Sequence, residues 1–236
     1  MKDFSKDFRK KNRFIFELRY QPLLPVLDIK GKIIEEFHQK IKTKFPHWQL
    51  VNSDILFTEK SENSKNEFYI GLRRMSVIIE DIDTFESFYN DVTNYAKHFY
   101  EFFKNNSYER IGFRIIATYQ NSKLKDFNSY LKLIESKFLK DPVDLGLTHK
   151  DFVIKMDHSN GFYIVGPIKQ KEAWLSANFK DVKDENKIPK FGVGLDIDSF
   201  GIDFSIRNEK ELVNKIDSTI KLSKSIEDAL IKSLEL

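Results

Sequence analysis

FYIGLRRMSVII at residues 68–79 and YERIGFRIIATY at 108–119 read as two versions of one strand. Each carries a glycine, an arginine two residues later and then an apolar run rich in β-branched side chains, the composition of a half-buried strand. A third arginine-bearing candidate, FIFELRY at 14–20, precedes them. DIKGKIIEEFHQKIKTK at 28–44 lies between the first and second, with Ile29, Ile33, Ile34, Phe37 and Ile41 on one helical face and Asp28 as N-cap. WQLVNSDILFT at 48–58 reads as a strand, and EKSENSKNE at 59–67 as its hairpin loop. Residues 83–105 form an aromatic amphipathic helix, from Phe85 to Phe103, capped by Asp83 or Thr84. The order β-α-β-β-α-β is that of a ferredoxin-like split βαβ unit.

The second half is less regular. KLKDFNSYLKLIESKFL at 123–139 is helical in pattern and ends before Asp141–Pro142. Residues 152–157, 162–169, 173–181 and 191–206 read as strands of an antiparallel sheet, with hairpin turns at 158–161 and 180–190. A long helix closes the chain at 208–235, with Leu212, Val213, Ile216, Ile220, Ile226, Leu230 and Leu234 near helical spacing. The expected fold is therefore α+β. A basic flexible tail at 1–12 leads into a ferredoxin-like half at 13–120, packed on a second strand-rich half at 121–236.

Composition narrows the class. Phe supplies 22 of 236 residues and 41% of the chain is hydrophobic, which argues against disorder. The absence of cysteine excludes disulfides, thiol catalysis and thiolate metal sites. No apolar stretch reaches the roughly 18–20 residues of a membrane span, and MKDFSKDFRKKNR lacks a signal-peptide core. The expectation is a cytoplasmic protein. Six basic residues against two acidic ones in residues 1–13 leave 33 against 34 elsewhere, so the body is not a broad polyanion-binding surface.

ELRYQPLLP at 17–25, FPHW at 45–48, SVIIEDIDTFESFYNDV at 76–92, YERIGFRIIATY at 108–119 and LDIDSF at 195–200 occur in that order. Together they resemble a sporadically distributed, functionally uncharacterised prokaryotic family with an N-terminal LRF-P strand, an RIGLRYIN-like strand and a late LDID segment. Where that family tends to carry Tyr-Ile-Asn, this chain has Ile115, Ile116 and Ala117. The resemblance implies a shared fold and a cytoplasmic prokaryotic domain, and no established activity.

Four constellations carry possible chemistry. In a ferredoxin-like order Arg114, Arg19 and one of Arg73 or Arg74 would be neighbours, with Glu17 and Arg110 on the same face. Guanidinium forks match phosphates and carboxylates, so this row is either an anion or nucleic-acid site or a satisfied charge network. Gly71 and Gly112 would permit close approach of another layer or a ligand. Asp196 and Asp198, joined by Asp203 across a turn at 199–201, are candidate ligands for a divalent cation. Tyr20, Tyr69, Phe113 and Tyr119 are the sheet candidates for stacking bases, though no RNP signature accompanies them and core packing explains most of the aromatics. The histidines show no metal or catalytic spacing, though His158 sits beside Asp157 and Ser159 in a turn.

No cofactor is expected and no catalytic motif stands out. The leading expectation is a non-enzymatic prokaryotic interaction or regulatory protein from a mobile or phage-defence locus. It would use the terminal helix toward a protein partner or its own copy, with no membrane partner. The alternatives are a nucleic-acid binder or nuclease using the arginine row, and a metal-dependent phosphoryl transferase.

Overall fold

Alternation along the first strand sets up the two faces of the sheet. In β1 (Arg9–Tyr20), Phe14, Phe16, Leu18 and Tyr20 are fully buried, which leaves Arg13, Ile15, Glu17 and Arg19 on the opposite face. The computed structural model describes residues 9–27, 32–52, 54–139, 152–171, 173–180 and 188–236. Its other strands are β2 (His47–Val51), β3 (Asp54–Thr58), β4 (Glu67–Ile70), β5 (Arg74–Glu80), β6 (Ser107–Tyr119), β7 (Ile154–His158), β8 (Gly161–Lys169) and β9 (Phe191–Ser205). All nine belong to one antiparallel sheet, in the order β2-β3-β4-β5-β1-β6-β9-β8-β7. Five α-helices accompany them among the described residues: α1 (Lys32–Ile41), α2 (Phe85–Phe103), α3 (Phe127–Phe138), α4 (Ala173–Asn178) and α5 (Glu209–Ser233).

The main core lies between one sheet face and α1, α2, α3 and α5. Phe14 meets Phe88 edge-on at 5.3 Å and Phe113 at 5.7 Å. Each such fully buried ring contributes about 2–3 kcal/mol. The helix starts are capped as their sequences allow: Thr84 accepts from the Ser87 N–H at 3.2 Å, and Asn208 accepts from the Glu211 N–H at 3.0 Å. Lys104 ends α2 in a left-handed conformation, φ 48°.

The α5 stripe packs on β6, β9 and α2. Leu212, Ile216, Ile220, Leu230 and Leu234 are buried there, and Val213 and Ile226 are half-buried. Lys224 and Glu227 are buried with them. The Lys224 ammonium lies 2.8 Å from Glu227 and 2.6 Å from Asp228, and the Tyr119 hydroxyl donates to Glu227. The stripe is thus covered by the chain's own sheet and by α2.

Several expected elements take another form. The single strand at 48–58 is the β2–β3 hairpin, turning after Val51 with Asn52 at φ 58°. The strand at 68–79 breaks into β4 and β5, because the Gly71 N–H donates to the Arg74 carbonyl at 2.8 Å and closes a turn. The 173–181 strand is α4, since Leu175 and Phe179, four residues apart, present one helical face to the second side of the sheet. Residues 9–12 of the expected tail belong to β1, and Lys11 is fully buried. The two halves share one sheet through the ladder from Ser107–Ser205 to Tyr119–Val193 between β6 and β9. Asp28, Asp141, Pro142, His149 and most of the 180–190 loop lie outside the described residues. Among the described residues no helix is long and apolar enough to cross a membrane.

Candidate functional site

The sheet face away from the main core divides in two. One part is covered by α4. Leu175 and Phe179 close a small cluster over Ile116, Ile168 and Ile188, and Ile15 and Trp174 pack against it. Polar ties fasten that flap. Arg13 donates to the Asn178 carbonyl at 2.8 Å, the Lys180 N–H donates to Glu80 at 3.0 Å, and the Lys180 ammonium pairs with Glu67. Beside them the Lys11 ammonium sits 2.9 Å from Asp81 and 3.7 Å from Glu80.

The other part carries the arginines. Strand register, which periodicity leaves open, decides their neighbours. Arg19 lies opposite Arg74 on one side and Arg110 on the other, while Arg114 lies opposite Ile15. The row is therefore Arg74–Arg19–Arg110, with Arg110 in the place expected of Arg114. Arg73 sits in the turn before β5, its side chain 62% exposed and 3.9 Å from Glu109.

Like charges opposed across strands are destabilising unless neutralised, and carboxylates interleave the whole row. Glu17 accepts from Arg19 Nε at 2.8 Å and from Arg110 Nη1 at 2.6 Å. Arg110 Nη2 also reaches Asp198 at 2.7 Å, and the guanidinium carbon Cζ lies 4.9 Å from the Phe200 ring centroid. Asp196 takes a two-pronged pair of bonds from Arg114, at 2.7 and 2.6 Å. Asp54 accepts from Arg74 Nε at 2.8 Å. The five arginines 19, 73, 74, 110 and 114 thus stand beside the five carboxylates 17, 54, 109, 196 and 198, for a formal sum of zero.

The two glycines serve this lattice. A Cβ on Gly112 would lie 2.3 Å from Arg110 Nη1, and one on Gly71 would lie 1.8 Å from Asp54 Oδ1. The missing side chains admit the guanidinium and carboxylate of the network itself, in place of a second layer.

Electrostatics follow the geometry. Burial raises the Asp198 carboxyl above its ordinary range, partly offset by Arg110 and Arg114. The hydrogen bonds that Arg114 donates to Asp196 raise its guanidinium and hold it charged. Burial and then Glu67 push the Tyr69 hydroxyl up to about 12.

No protein-family model matches this chain, and no curated protein matches it.

The remaining candidates separate. β9 runs through residues 199–201 without turning back, so Asp203 lies five residues beyond Asp198, about 16 Å along the strand. Asp196 and Asp198 each hold a guanidinium, and a cation there would have to displace an arginine. Among the described residues no group of three or more His, Asp or Glu side chains is placed to hold a metal ion. Tyr20, Phe113 and Tyr119 are fully buried on the helix side, which leaves only Tyr69 of the four stacking candidates on the arginine face. His158 Nε2 and Ser199 Oγ are buried with no hydrogen-bond partner among the described residues, and Gly161 lies opposite both residues in the register. Ser199 has no exposed surface for a substrate to reach.

A surface that sequence reading passed over is the edge of the sheet at β2, which among the described residues pairs with β3 alone. Residues 47–50 are all exposed, Trp48 at 54% and Leu50 at 53%. The signal was present in HWQLV, a strand with no charged residue, but reading 48–58 as one strand hid the hairpin that makes residues 47–51 a strand of their own.

Proposed function

We propose that this chain is a non-enzymatic interaction protein that engages its partner by strand addition at β2. The carrying observation is the edge itself. Among the described residues β2 ends the sheet, exposes Trp48 and Leu50, and carries no lysine, aspartate, glutamate or proline of the kind that blunts exposed edges. The opposite edge, β7, is protected by Lys155 and Asp157. Strand addition draws affinity from main-chain hydrogen bonds and specificity from alternate side chains. The covered α5 stripe weighs against the terminal helix as the docking element.

The first half is read as ferredoxin-like, a reading supported by β1 lying between β5 and β6 and by α2 joining those two strands. The resemblance to a sporadically distributed prokaryotic family supports a mobile or host-defence locus. A nucleic-acid reading keeps one observation in its favour: Arg19 and Arg73 are more than half exposed at one end of the sheet. The zero net charge of the lattice argues against it.

The test compares immobilised wild type with Trp48→Glu and with Arg19→Ala in retaining proteins from the native cell. Retention lost only in Trp48→Glu is expected. Steeply salt-dependent binding of RNA or DNA, lost in Arg19→Ala and Arg114→Ala, would overturn the proposal.

A further inference from the structure

Resting on that interaction reading, we infer that the partner at β2 is a second copy of this chain, paired antiparallel about a two-fold axis through Gln49. Val51 and Asp54 flank the two-residue turn of the β2–β3 hairpin. Such hairpins close on a pair that exchanges both backbone bonds, and the pattern then alternates. His47, Gln49 and Val51 thereby spend their backbone groups on β3. Trp48 and Leu50 turn theirs to the open edge.

A copy centred on Gln49 sets Trp48 opposite the partner's Leu50 and Leu50 opposite the partner's Trp48. The outward N–H and C=O groups then meet in register. The same pairing lays the two exposed apolar side chains of each strand over those of the other. They lie on the helix side of the sheet, beside a groove of about 340 Å³ lined by Ile34, His38, Ile55 and Phe57. β2 contains no Lys, Arg, Asp or Glu, so no like charges oppose across the axis. Only Gln49 faces its own copy, on the far side of the sheet, where it is exposed. Any other register leaves Trp48 or Leu50 uncovered or their backbone groups unpaired. A seam of two five-residue strands falls in the small class of interfaces, below about 1,200 Å², so the dimer is reversible.

The experiment uses the axis and the cysteine-free chain. Sedimentation of wild type over a micromolar concentration series is expected to show monomer and dimer in exchange. Gln49→Lys and Gln49→Glu are each expected to sediment as folded monomers, because like charges then meet across the axis, and their mixture to restore a heterodimer. Gln49→Cys is expected to cross-link under mild oxidation far more than Ser218→Cys on the exposed face of α5, since unbonded antiparallel pairs sit about 4.5 Å apart, within disulfide reach. Wild type monomeric throughout, or Gln49→Cys cross-linking no better than Ser218→Cys, overturns the inference. If wild type is monomeric and Gln49→Lys still loses a retained foreign protein, the second copy is refuted and the edge-binding reading stands. If Gln49→Lys alters neither self-association nor retention, both fall.

Discussion

Arg110 lies across Gly112 on its own strand, its Nη1 only 2.3 Å from where a Cβ would stand. The glycine makes room for a guanidinium that bridges Glu17 on β1 and Asp198 on β9. Gly112→Ala is expected to displace Arg110 and cost about 1–2 kcal/mol, the value of partly buried charged hydrogen bonds. The check is urea unfolding of Gly112→Ala, Arg110→Ala and the double variant. If the displaced guanidinium is the cause, the double variant loses little beyond Arg110→Ala alone. Additive losses would refute it.

Glu17 and Arg19 are expected to behave asymmetrically. Glu17 is well covered and separates two arginines, whereas the Arg19 side chain is 55% exposed. Glu17→Gln leaves Arg19 and Arg110 opposed and should cost about 1–2 kcal/mol at low salt, a loss that shrinks as salt screens the repulsion. Arg19→Ala should stay within about 0.5 kcal/mol of wild type. Thermal melts at two ionic strengths decide between these outcomes.

Two adjacent carboxylates should give opposite pH signatures. Burial raises Glu80, so the folded state binds its proton more tightly. The contribution of Glu80 is present in acid and lost as pH rises through the folded pKa. Burial also acts to raise Asp81, but hydrogen bonds from Lys11 and Lys65 outweigh it, and the net shift is downward. The contribution of Asp81 is present above the ordinary carboxylate range and lost as pH falls through its folded value. Glu80→Gln should therefore gain more stability than wild type between pH 4 and pH 7. Asp81→Asn should gain less than wild type on leaving acid. Denaturant midpoints across that range test both signs.

Beneath α5, Glu227 receives the Tyr119 hydroxyl and pairs with Lys224, both charged groups being fully buried. Glu227→Ala should cost about 3–5 kcal/mol, because it strips a buried ammonium of its best-covered partner. Replacing the pair by Lys224→Met with Glu227→Leu should recover most of that loss. Chemical unfolding of both variants measures it, and a double variant no better than the single one would contradict it.

What the sequence determined by itself was the kind and order of the main elements. Period two in FIFELRY and YERIGFRIIATY and period 3.6 in 83–105 and 208–235 mark which side of each element must leave water, and that follows from local chemistry alone. The grouping of Glu17, Arg19, Arg110 and Arg114 on one sheet face followed from the same alternation. Tertiary structure decided everything that depends on partners distant in the chain. Register chose Arg110 over Arg114 as the neighbour of Arg19, and it supplied Asp54, Asp196 and Asp198 as counter-charges from strands far away. The twin segments at 68–79 and 108–119 parted because Gly71 closes a turn while Gly112 stays within a strand crossed by an arginine. Which strand lies at an edge is a property of the assembled sheet, so the uncharged pattern of HWQLV became meaningful only once β2 stood last among the described strands.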